Sequence, residues 1–125
     1  MDIEDLRHYL LQKKAVTEEL PFGPQALVFK VMGKMFALIA WEDDPLRISL
    51  KCEPEHALAL RSIFPAVQPA YHMNKEHWNM VILDGRVQKD LLLDMIDDSY
   101  DLVVKKLKKA DREKLKQTGE SSCWK

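Results

Sequence analysis

Nine consecutive residues, Tyr71-His72-Met73-Asn74-Lys75-Glu76-His77-Trp78-Asn79, gather two imidazoles, a phenol, an indole, two carboxamides and an ammonium group. Strand-like runs flank them, so the spacing predicts a hairpin with these groups around its tip. That is more polar and aromatic chemistry than a tight turn needs. Tyr71, His72 and Trp78 could stack on nucleobases, for about 1–3 kcal/mol per base in single-strand binders. Lys75 could neutralise a phosphate. Metal chemistry fits poorly. Zinc takes three or four protein ligands, whereas His72 and His77 stand five apart with no Cys or carboxylate at matching spacing, and Glu76 lies in the turn. No metal or cofactor is expected. Asn74 and Asn79 read as turn stabilisers, because their amides mimic backbone turns. Trp78 reads as half core, with an indole N–H in need of a partner.

A second set of groups lies on predicted strands. Alternation puts Ile48, Leu50 and Cys52 on one face and Arg47, Ser49 and Lys51 on the other, and Lys30 points opposite to Phe29 and Val31. If the polar faces coincide, Lys30, Arg47 and Lys51 form a basic strip, extended by Lys34, Lys75 and Arg86 at turns. The plainer alternative is a wet face of an antiparallel sheet, with lysines that aid solubility and protect edges. A catalytic reading would recruit His72 or His77 as base, Lys75 for oxyanion charge, and Ser99 or Tyr100 as nucleophile or acid. Ser99 has no nucleophile-elbow context and there is no glycine-rich phosphate loop. No enzyme is expected. Tyr100 is expected under the hairpin, lending its hydroxyl to His72 or Asn74.

These groups need a frame. Ile3, Leu6, Tyr9, Leu10 and Lys13 follow a helical repeat over residues 2–13, with Asp2 as N-cap. Residues 18–24 read as a loop punctuated by Pro21, Gly23 and Pro24. Three strands are predicted at 26–32, 35–42 and 47–53, separated by Gly33-Lys34 and by Asp43-Asp44-Pro45. Pro54 opens a helix that Glu53 could cap and that ends before Pro65. Strands at 67–73 and 78–83 follow, then a helix from about Gln88 whose buried stripe is Leu92, Ile96, Val103 and Leu107. Asp94, Asp97, Asp98 and Asp101 make an acidic stripe, read as a solvated face that complements the helix dipole. The lysines of the tail continue this helix. The order is α-β-β-β-α-β-β-α, an α+β domain with a mainly antiparallel five-stranded sheet covered by helices. Residues 1–116 read as one domain and 117–125 as a flexible tail.

Composition excludes several classes. The chain has 125 residues, 46% hydrophobic and 31% charged, an ordinary globular balance. Its longest apolar run, Met35 to Trp41, is far short of the roughly 20 residues that cross a membrane. The acidic start is unlike a secretion signal, so a cytoplasmic protein without membrane contact is expected. Cys52 alternates with Ile48 and Leu50 and reads as a buried structural thiol; Cys123 lies in the tail, and no disulfide joins the two in a reducing compartment. Residues 105–116 hold seven basic and two acidic groups, a net +5, against −1 for the whole chain. An acidic body with a basic tail confines any anion binding to a local patch or the tail.

Several stretches align at once: Lys30-Val31-Met32-Gly33-Lys34-Met35-Phe36-Ala37-Leu38, Leu50-Lys51-Cys52, Tyr71-His72-Met73-Asn74-Lys75, His77-Trp78-Asn79, Leu83-Asp84-Gly85 and Ser99-Tyr100-Asp101-Leu102-Val103-Val104. In this order and spacing the chain resembles the MmcQ/YjbR family of small bacterial proteins, from about Ile3 to Arg112. The resemblance implies an αβ3αβ2α fold similar to secretion chaperones, no enzyme activity, no cofactor, and the DNA-binding label customary for the family. Weak, nonspecific DNA binding is therefore the leading expectation, carried by Lys30, Lys34, Arg47, Lys51, Tyr71, His72, Asn74, Lys75, His77 and Trp78. No helix-turn-helix or zinc-finger pattern supports reading of the major groove. The rival expectation is a chaperone-like module that binds a protein or peptide on the sheet or its edge, with Met32, Met35, Met73 and Met80 as adaptable contacts. A monomer is expected in either case.

Overall fold

A computed structural model of the chain describes residues 2–20, 26–42, 45–70, 73–74 and 76–117, with side chains as far as Leu115. Helix α1 (Ile3–Leu11) starts where the Asp2 carboxylate accepts the Asp5 amide at 2.9 Å, and it buries Leu6 and Leu10. Strands β1 (Val16–Glu19), β2 (Ala26–Val31), β3 (Lys34–Ala40) and β4 (Arg47–Lys51) precede α2 (Pro54–Ile63). Strands β5 (Val67–Pro69) and β6 (Trp78–Ile82), then helices α3 (Lys89–Lys105) and α4 (Lys109–Gln117), complete the order. All strand pairs are antiparallel, in the order β1-β2-β3-β4-β6-β5.

Directly paired residues share a face. Phe29, Ala37, Leu50 and Asn79 form one row across the sheet; Leu27, Ile39, Ile48, Val81 and Val67 form the next. This face meets α1, α2 and α3, with α3 lying over β2, β3 and β4 and α2 over β5 and β6. The opposite face carries Lys30, Leu38, Arg47, Ser49, Lys51, Trp78 and Met80. The hairpin β2–β3 turns on Met32 and Gly33, both at positive φ (51° and 82°). That left-handed pair is the two-residue geometry whose twist matches the strands.

A bulge shapes the centre of the core. Phe29 pairs with Ala37 but Lys30 pairs with Met35, so Phe36 is the extra residue. A bulge turns consecutive side chains to one side and leaves a ladder position unpaired. Phe36 and Ala37 are both fully buried, and the Phe36 ring meets the edge of Tyr100 at 5.3 Å and 80°. The freed Phe36 carbonyl accepts the Ser99 hydroxyl at 2.5 Å, and Ser99 Oγ accepts the Lys51 amide at 2.9 Å. One α3 side chain thus closes the gap the bulge opens between β3 and β4.

The α+β class and the antiparallel sheet match the sequence reading; the strand count does not. The sheet has six strands rather than five: β1 is additional and overlaps the loop expected at 18–24. Val-Thr-Glu-Glu has one apolar residue and no hydrophobic alternation. It pairs as a short, charged edge strand, held from the core side by Arg7, whose guanidinium grips Glu18 at 2.6 and 2.8 Å. Strand β5 ends at Pro69, earlier than the expected 73, with one further bond from the Ala70 amide to the Trp78 carbonyl at 3.4 Å. The last helix is two helices. The amides of Lys106 and Leu107 bond three residues back, to Val103 and Val104, and the chain turns. Leu107 and Leu115 are both buried; a straight helix would carry Leu115 about 12 Å beyond Leu107, at 1.5 Å per residue.

Candidate functional site

In an antiparallel sheet the start of β3, the end of β4 and the start of β6 lie at one end, and α3 closes with its C-terminus beside them. Lys34 opens β3 and is exposed; Lys51 closes β4 and is half-buried; Lys106 caps α3 and is exposed. Burial, then the positive charges of Lys106 and Lys34, hold the Lys51 ammonium below the usual lysine range. Among the described residues no ion pair joins these three lysines to a carboxylate. Three unneutralised cations at one end of the sheet form a place for an anion.

Through its described residues, Ala70, Met73, Asn74, Glu76 and His77, the β5–β6 connection joins the strands at the same end. Its register is set by the Cys52 amide donating to the His77 carbonyl at 2.7 Å, and by His77 N and Met73 N donating to Asn74 O and Ala70 O. Asn74 Oδ1 accepts the Glu76 amide at 2.9 Å, the turn-stabilising role expected of it. His77 is half-buried. Tyr71, His72 and Lys75 lie outside the described residues, so the stacking and phosphate roles expected of them rest on sequence alone.

Other expected contributors are placed elsewhere. Lys30 is on the expected face but pairs with Glu19 at 3.1 Å. Arg47 is at the far end of β4, four residues or about 13 Å from Lys51 at 3.3 Å per residue. The continuous strip Lys30–Arg47–Lys51 is therefore not assembled. Arg86 lies after β6, at that far end too, with its guanidinium on Asp84 at 2.8 Å. Trp78 is only 8% exposed, so little of its ring is open for stacking. Asn79 is no turn residue: it is buried on β6, and its Nδ2 donates to the Ala57 carbonyl of α2 at 3.3 Å. Tyr100 does not reach Asn74. Its hydroxyl donates to the Lys14 carbonyl at 2.6 Å, because α3 runs beneath β3 toward α1 rather than under the hairpin. Ser99 is fully buried between Phe36 and Lys51.

Lys106 was hidden in a lysine-rich tail. The signal that could have found it is its spacing from Ser99: seven residues, two helical turns, so the residue that clamps Lys51 also aims Lys106 along the same side of α3.

The YjbR family model matches residues 11–102. The chain belongs to the YjbR family. It is 41% identical over 96 residues to YbdF of Escherichia coli O157:H7, covering 77% of this chain and 79% of that protein. It is 32% identical over 117 residues to YjbR of Escherichia coli K12, covering 94% and 99%. A crystal structure of a Deinococcus radiodurans protein with a DUF419 domain superposes with a TM-score of 0.86 at 42% identity, over 92% of this chain and 88% of that one. A Pseudomonas syringae protein superposes at 0.71 and 30% identity, over 82% and 98%. The Escherichia coli relatives are uncharacterised proteins; they lend a family and a fold, and no ligand.

Proposed function

We propose that this YjbR-family protein is a small binding module of the cytoplasm that takes the phosphate backbone of nucleic acid at the lysine-rich end of its sheet. The observation that carries the reading is the convergence of Lys34, Lys51 and Lys106, with the charges of two opposing that of the third and no carboxylate paired with them among the described residues. An arriving phosphate relieves that repulsion. Lys75, His72 and Tyr71, outside the described residues, are assigned to the same ligand on the sequence alone. The interaction is with backbone charge, weak and without sequence preference, and it includes no chemical step. Free, buried Cys52 suits a reducing compartment.

The test is fluorescence anisotropy with labelled single- and double-stranded DNA across a salt series. Three phosphate contacts give a log–log slope of about −2 to −3. The Lys34→Glu/Lys51→Glu/Lys106→Glu variant should lose binding, and Lys30→Glu, already paired with Glu19, should keep it. Binding absent from wild type, or unchanged in the triple variant, sinks the reading.

A second reading, docking of an apolar peptide helix, is favoured by Leu58 and Ile63, which are 62% and 64% exposed on the outer side of α2. The sheet edges favour it less, since β1 is charged and β5 ends in proline. A peptide held there would bind with a shallow salt dependence, and Leu58→Glu would abolish it.

A further inference from the structure

Between the start of α2 and the second half of α3 lies a cleft of about 250 Å³ lined by Cys52, Glu53, His56, Asp98, Asp101 and Lys105. It is contiguous with a recess of about 10 Å³ that shares Cys52, His56 and Asp98 and ends on Asn79 among Leu50, Lys51, Leu60, Val81 and Met95. Asn79 is 2% exposed, and its Oδ1 has no hydrogen-bond partner. Its orientation is fixed, because Nδ2 donates to the Ala57 carbonyl and a flipped amide would set two oxygens against each other. An unpartnered buried acceptor costs about 1–3 kcal/mol unless something donates to it. The recess has room for one small polar group.

The electrostatics of the cleft point to the sign of that group. Asp97 of the same helix is satisfied by Lys13 Nζ at 2.6 Å and Tyr9 at 2.7 Å. Among the described residues Asp98 and Asp101 have no ion pair or hydrogen bond. Burial pushes the Asp98 carboxyl up; His56 opposes the rise more strongly than any one of Asp101, Asp94 and Asp97 adds to it. Three carboxylates, Glu53, Asp98 and Asp101, line the cleft with His56 and Lys105, and Lys51 is the one lysine that lines the recess.

We propose that this cleft binds a small organic ammonium ion. Its –NH3+ head donates to Asn79 Oδ1 in the recess and to the Asp98 carboxylate, while its alkyl portion lies along the cleft past Leu102 toward Asp101. A primary ammonium supplies three donors, so it satisfies the orphaned oxygen and the crowded carboxylates together, which neither a neutral alcohol nor a quaternary ion does.

The experiment is a titration of the isotopically labelled protein followed by two-dimensional amide NMR, with n-butylammonium, n-butanol and tetramethylammonium as probes at matched ionic strength. Butylammonium should saturably move the backbone signals of Cys52, His56 and Asp98 and the side-chain NH2 of Asn79. Butanol and tetramethylammonium should not. Asp98→Asn should weaken butylammonium by about tenfold or more, as loss of a charge-assisted bond implies, while Asp5→Asn, the same charge change on α1, should leave it as it was. Both positions are exposed, so each variant is expected to fold, and its spectrum verifies that directly. The proposal is overturned by the absence of saturable shifts at the cleft, by tetramethylammonium or butanol binding as well as butylammonium, or by Asp5→Asn weakening binding as much as Asp98→Asn. Any of these would leave Asn79 Oδ1 to a single water.

Discussion

Replacing Ser99 by alanine removes one hydroxyl and strands two backbone groups. The Phe36 carbonyl, set free by the bulge, loses its donor at 2.5 Å in the core; the Lys51 amide, partly buried, loses its acceptor at 2.9 Å. A buried backbone group left unsatisfied costs about 1–3 kcal/mol, and the partly buried amide falls at the low end of that range. No cavity larger than one oxygen is made, so packing adds little. The expected loss is about 3 kcal/mol, a large share of the roughly 5–15 kcal/mol that stabilises a domain. Urea unfolding followed by tryptophan fluorescence is the assay. The slope should hold and the midpoint should fall by about 1–3 M, for a slope of about 1–3 kcal/mol/M. Ser62→Ala is the reference: its exposed hydroxyl donates to the Ala59 carbonyl on α2, and its loss should cost at most about 0.5 kcal/mol. A loss below about 1 kcal/mol for Ser99→Ala would refute the clamp, because water would then be reaching Phe36 O or the bulge would be relaxing.

Three further outcomes follow from the same geometry. Burial and then Asp97 push the Tyr9 hydroxyl up, and burial and then Asp101 push that of Tyr100 up; a raised folded value stabilises below the ordinary tyrosine value of about 10 and is lost as pH climbs beyond it. An alkaline titration by ultraviolet absorbance should therefore show at most one of the three tyrosines ionising before the protein unfolds. Lys51 has the opposite sign: its folded value is lowered, so its charge destabilises at neutral pH and the penalty fades as pH rises toward the free lysine value. Lys51→Met should melt no lower than wild type at neutral pH, with the difference closing in alkali, and a melting point well below wild type would mean that the ammonium has an unrecognised partner. Burial, then Asp98, pushes the Cys52 thiol up, so in a Cys123→Ser background iodoacetamide should label the native protein far more slowly than the unfolded one, and equal rates would contradict the burial.

The sequence pattern located most elements because their signals were local. Alternation in Arg47–Lys51 and helical spacing in Ile3–Leu11 each report a face that must be buried. What escaped was set by tertiary contact. Val16–Glu19 is a strand because Val31 to Val28 offer it a ladder and Arg7 holds Glu18, neither of which its composition reveals. The break after α3 is imposed by where Leu115 can be buried. For the candidate site, Lys34 and Lys51 were legible from strand alternation and turn position. Lys30 was placed on the correct face, but its neutraliser Glu19 sat in the strand that had been read as loop. Asn79 was assigned to a turn because its local context matches one; its burial depends on α2, more than twenty residues away in sequence.

Helix α3 shows how one amphipathic pattern serves three neighbours. Its inner stripe, Leu92, Met95, Ile96, Ser99, Tyr100 and Val103, is buried against the sheet. Asp97 turns to α1 and is neutralised there by Lys13 and Tyr9. Asp98 and Asp101 line the cleft beside α2 and make no ion pair among the described residues, while Lys106, two turns beyond Ser99, reaches the end of the sheet where Lys34 and Lys51 already stand. The four-residue acidic stripe that sequence reads as one solvated face is thus divided: Asp97 is spent on the fold, Asp98 and Asp101 face a cleft, and Asp94 is exposed. The acidic cleft repels anions and the lysine cluster repels cations, which keeps a phosphate out of the cleft and an ammonium ion out of the cluster. Because Ser99 sets the height of α3 on β3 and β4, a change there shifts the cleft and the lysine cluster together, whereas Asp98→Asn and Lys34→Glu perturb them one at a time.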